Sequence, residues 1–167
     1  MATTGRVGVP TMRQYENMFK DILGRSGLPY GYGKHFMDKT ERFSPDDLYT
    51  DVRRGEIRLA RRAAYPVGDY KHTVIGIELP ITISEVQVQA KFTNPTDTTF
   101  GLEVSADGGV EWIGVTFTQD AGRDIQYCTT MGIPVGSSLR ARILMATDDA
   151  QVTPTLEWFI LLFKAVT

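Results

Sequence analysis

The chain has little of what most chemistry requires. Its 167 residues include one cysteine and two histidines. Cys128 has no second thiol to join within the chain, so packing must hold the fold. A thiol nucleophile needs an imidazole partner. His35 and His72 both sit in polar surroundings with no supporting pattern, which leaves Cys128 a packed structural role. The longest uninterrupted apolar run, Trp158–Phe163, falls far short of the roughly 20 residues that span a bilayer. The opening Met-Ala-Thr-Thr-Gly-Arg lacks the apolar segment of a secretory signal. The chain therefore reads as a soluble protein made in a cytoplasm, with no membrane partner. Carboxylate pairs are few: Asp46-Asp47 and Asp148-Asp149 read as solvated loop pairs, and Asn94, Asp97 and Asp107 match no calcium-loop spacing and read as turn caps. No catalytic residue, metal ligand or cofactor-binding residue is assigned, and the chain reads as non-enzymatic.

What is present is alternation. Phe100, Leu102 and Val104 alternate with polar residues, Asp107-Gly108-Gly109 breaks the chain, and Ile113, Val115 and Phe117 alternate again. That is a hairpin of two half-buried strands. Most of the chain after residue 72 repeats this grammar. Val74–Leu79 is a strand stopped by Pro80, and the phase slips near Ser84-Glu85, implying a bulge or bend. Asn94–Asp97, Gln119–Gly122 and Thr147–Ala150 are turns, and Ile133–Gly136 reads as a loop. Leu139, Ala141, Ile143 and Met145 point one way, with Arg140 and Arg142 facing out. In Leu156–Phe163 both phases are apolar apart from Glu157, so this strand should be central and covered on both faces. Eight or nine strands without intervening helices make an antiparallel, jelly-roll-like β-sandwich the expected fold.

Ahead of this body, Thr11–Gln14 fits a capping box. Tyr15, Met18, Phe19, Ile22 and Leu23 follow on one face of a short helix, with Gly24 as its stop. Three turns do not persist alone in water. The apolar face must rest on the chain's own sandwich or on a neighbouring protein. Residues 24–55 are Gly/Pro-punctuated yet carry Tyr30, Tyr32 and Phe36, which suggests an arm ordered by lying across another surface. The expected division is thus 1–55, an extended tail, helix and docking arm with partner contacts at Tyr15, Met18, Phe19, Ile22, Leu23, Tyr30, Tyr32 and Phe36, and 56–167, the body. Ser44-Pro-Asp-Asp47 is expected to open a short helical turn. Residues 1–72 hold 13 Lys/Arg against 9 Asp/Glu, a balance of +4, and residues 73–167 hold 5 against 11, a balance of −6. The halves should attract each other, within or between subunits. The arginines near residue 58 are diluted by Asp51 and Glu56, and no nucleic-acid partner is expected.

Ser105-Ala-Asp107-Gly-Gly109-Val-Glu-Trp112 resembles the Asp box, a structural hairpin of sialidases and other glycan-handling proteins, with Glu111 in place of the usual Thr. A sialidase propeller repeats the box, which occurs once here, so that fold is not implied. Over about residues 72–167 the motif order is similar to jelly-roll modules of carbohydrate-binding domains and of tailed-bacteriophage virions. The resemblance, with the N-terminal arm, implies a virion structural protein in the tail, baseplate or capsid decoration. Its partners would be other virion proteins and copies of itself. The alternative it implies is a glycan-binding module, with Trp112 and Trp158 as candidate stacking rings.

Overall fold

The structure, a computed structural model, describes residues 11–36, 48–51, 54–61, 63–68, 70–120, 122 and 124–167. The tail expected over 1–10 and the turn expected at 44–47 lie outside the described residues. Helix α1 (Met12–Ser26) starts on the capping box: Gln14 N donates to Thr11 Oγ1 at 3.3 Å, and Thr11 N donates to the Gln14 side chain at 2.6 Å. It passes through Gly24, the expected stop, because an exposed helical glycine costs only about 1 kcal/mol. It ends instead at Gly27, a left-handed C-cap.

Among the described residues nine strands follow: β1 (Tyr30–His35), β2 (Leu48–Asp51), β3 (Glu56–Leu59), β4 (Lys71–Thr93), β5 (Thr98–Ser105), β6 (Ile113–Gly114), β7 (Thr118–Gln119), β8 (Gln126–Thr147) and β9 (Thr155–Phe163). Every ladder between them is antiparallel. Two expected breaks are bends within strands. Pro80 does not end β4, and Ile133–Gly136 is not a loop but part of β8. The register between these strands jumps from Glu78↔Ser138 to Ile83↔Gly136 and then to Glu85↔Gly132. Pro80 and Pro134 fall in the unpaired gaps, where a missing N–H removes no ladder bond.

These matched bends fold the sheet over on itself. The first half of β4 pairs with the end of β8, which pairs with β5, and β5 in turn with β6; we call this the open leaf. The second half of β4 pairs with the start of β8 and with β9. The leaves face each other across one core, in which Val86 and Val88 share a cluster with Leu102, Leu139 and Ile143. Phe92 and Phe100 stack between the leaves at 4.2 Å between ring centroids. The result is the expected antiparallel, sandwich-like β fold.

β9 lies between β4 on one edge and β1 followed by β3 on the other. Phe159, Leu161 and Phe163 enter the core, while Trp158, Ile160 and Leu162 face outward. Strict alternation would send Leu156 outward too. A register shift opposite Lys91 and Phe92 leaves Glu157 as the extra residue and turns Leu156 inward. The outward row is covered by α1 through Tyr15, Met18, Phe19, Ile22 and Leu23. Fully burying one such side chain contributes about 1.5–3 kcal/mol before ordering costs; Tyr15 is buried outright and the other four are half-buried. The helix approaches closely over β1. A Cβ on Gly33 would stand 2.6 Å from the Phe19 ring, so only glycine admits that ring here.

The helix thus rests on its own chain, the first of the two surfaces considered. β1 and β2 lie in the stretch expected to be an arm, yet both are strands of the sheet, and Phe36 is buried in the main core. Periodicity was hidden there because β1 is a Tyr-Gly-Tyr-Gly run and β2 has four residues.

Removing residues 1–55 deletes α1, β1 and β2 and uncovers Trp158, Ile160 and Leu162. The remaining 56–167 should aggregate and show no cooperative thermal transition by circular dichroism; a sharp transition would contradict this packing. The Tyr15 hydroxyl is buried without a hydrogen-bond partner. Burial, and secondarily Glu157, pushes its pKa up to about 12. Tyr15→Phe removes the unsatisfied group and should stabilise the chain by about 1 kcal/mol. Denaturant unfolding checks this, and a clear loss of stability would mean the hydroxyl is bonded.

Candidate functional site

The hairpin that the sequence singles out is built around one carboxylate. Ser105 is fully buried at the end of β5, and its hydroxyl donates to Asp107 Oδ1. The same hydroxyl oxygen accepts from Asp107 N at 3.3 Å and Gly109 N at 3.1 Å. Asp107 Oδ1 accepts from Gly109 N at 3.3 Å and Val110 N at 3.0 Å, and Oδ2 accepts from Glu111 N at 3.1 Å. Side-chain oxygens thereby satisfy turn amides that no strand can reach. The Ser105 bond first, then the backbone donors, hold the Asp107 pKa below its ordinary value. Gly109 has φ 93°, and a Cβ there would sit 2.8 Å from the Trp112 ring, so the turn requires glycine on both counts. Ser105, Asp107, Gly109 and Trp112 are therefore one unit.

The second arm of the hairpin is shorter than its alternation suggests. β6 has two residues, after which Val115 N donates to Leu102 O at 2.8 Å. Val115 and Phe117 still pack inward, and Phe117 meets the Phe92 and Phe100 rings.

The partner of the hairpin is a pair of side chains on the outer face of the open leaf. Arg142 lies over the Trp112 ring at 4.4 Å from the centroid, and its Nε bonds Glu103 on β5. One row along, Arg140 and Ser138 both donate to Glu78 on β4, the latter at 2.6 Å. Those two bonds, the Ser138 one first, lower the Glu78 pKa. Ser138 also joins the hairpin through its backbone, donating to Ala106 O at 2.9 Å and accepting from Gly108 N at 3.1 Å. The outward phase of Arg140 and Arg142 was readable from alternation. Their carboxylate partners were not, because cross-strand register is not written locally.

The eight expected partner contacts lie elsewhere. The five helix residues face β9. Tyr30 stacks on Phe163 at 6.1 Å, Tyr32 meets Phe159 edge-on at 6.3 Å, and Phe36 is in the core. Of the two candidate stacking rings, Trp158 is 2% exposed and Trp112 carries Arg142 on one face. Among the other candidates, Asn94 Oδ1 accepts from Thr98 Oγ1 at 3.1 Å, and Asp149 Oδ1 accepts from Gln151 N at 2.8 Å, both within turns. Burial pushes the Cys128 thiol pKa up, which disfavours the thiolate. Among the described residues, no three His, Cys, Asp or Glu side chains converge on a point that could hold a metal ion. Beside the C-terminal end of α1 lies a cleft of about 170 Å³, with Leu28 and Leu162 among its apolar walls and Glu85, Gln87 and Lys164 among its polar ones.

No family model matches the chain, and no curated protein matches it.

Because the folded-state pKa of Asp107 is depressed, its stabilisation is present above the unfolded carboxylate range and is lost as pH falls through the folded value. Asp107→Asn should therefore lower the melting temperature at neutral pH, with the gap to the parent closing on acidification below the ordinary carboxylate range. A gap that stays constant with pH would mean the charge is immaterial. Gly109→Ala should cost roughly 1–3 kcal/mol through the strained φ and the displaced indole. Near-ultraviolet circular dichroism of Trp112 and denaturant unfolding would report both effects.

Proposed function

We infer that the chain is a non-enzymatic structural component of a tailed-phage virion, docking on copies of itself or on other virion proteins. The observation that carries the reading is the uncovered outer face of the open leaf. The other leaf carries α1 over β9, whereas among the described residues no helix or strand lies over the face formed by β4, β8 and β5, to which the hairpin adds the Trp112 ring. Its surface side chains are held in place by hydrogen bonds, ion pairs and an aromatic contact, which suits a docking surface that must not reorganise on binding. The order of its motifs, with an Asp-box-like hairpin and a closing Trp-containing strand, adds the resemblance to virion jelly-rolls.

The mechanism differs from the arm first expected. The apolar face of α1 meets β9, so docking through Tyr15, Met18, Phe19, Ile22 and Leu23 would require undocking the helix at a cost of several kcal/mol. An intact body presenting a sheet face is the simpler fastener. The glycan-binding alternative rests on a free aromatic platform, and neither tryptophan offers an unobstructed one.

Mass spectrometry of purified, nuclease-treated phage particles from the source of the chain tests this reading. Peptides at the abundance of a structural protein are expected. Particles that lack the chain while infected cells contain it would overturn the proposal.

A further inference from the structure

We draw no further inference here: the strongest candidate, the cleft of about 170 Å³ beside the C-terminal end of α1, carries nothing because Glu85 and Lys164, which flank the Val86↔Phe163 pair on its rim, are exposed side chains of opposite charge that balance each other, and nothing in the structure shows what would fill it.

Discussion

Everything in this fold depends on burying both faces of β9. Its inward phenylalanines and Leu161 close the core against the open leaf, and its outward Trp158, Ile160 and Leu162 create a second apolar surface that water cannot be allowed to reach. A strand of that composition in a two-leaf fold needs a third layer. Helix α1 is that layer. Its own stability is marginal without a docking surface, so each element supplies what the other lacks. The glycines of β1 let the helix descend until the Phe19 ring reaches the strand backbone and the Trp158 ring. The N-terminal segment is in this sense as much a core element as the strands.

The second constraint is the pair of matched bends in β4 and β8. Two strands of more than twenty residues each would make an extended ribbon if they stayed in register. Prolines placed where the ladder is already interrupted, with glycines at 132 and 136, let both turn together. The turn brings Ser138 beside the hairpin and so ties Asp107, Arg140 and Glu78 into one corner. The geometry of the open leaf's surface follows from that corner.

Much of this was legible in the sequence, and the failures have physical causes. The continuous apolar character of Leu156–Phe163 marked β9 as covered on both faces, and the capping box marked the start of α1. The hairpin was legible because a serine, an aspartate, two glycines and a tryptophan at fixed spacing are dictated by local hydrogen bonds. What was not legible depends on partners distant in sequence. Tyr30–His35 carries too many glycines for alternation to register, and only its pairing with β9 makes it a strand. Pro80 and Pro134 look like terminators until the register shows that no hydrogen bond was due there. The Arg142–Glu103 and Arg140–Glu78 pairs needed the cross-strand register as well.

The most direct measurement of the central claim is native-state hydrogen exchange, resolved by residue. If β9 is the strand on which both layers rest, its amides over 156–163 and those of its neighbour β4 over 86–90 should exchange slowest, near the limit set by global unfolding. Amides of α1 should open in the same cooperative unit as β9. Amides of β9 that exchange as fast as those of the edge strands β2 and β6, or a helix that opens freely while β9 stays protected, would contradict the account.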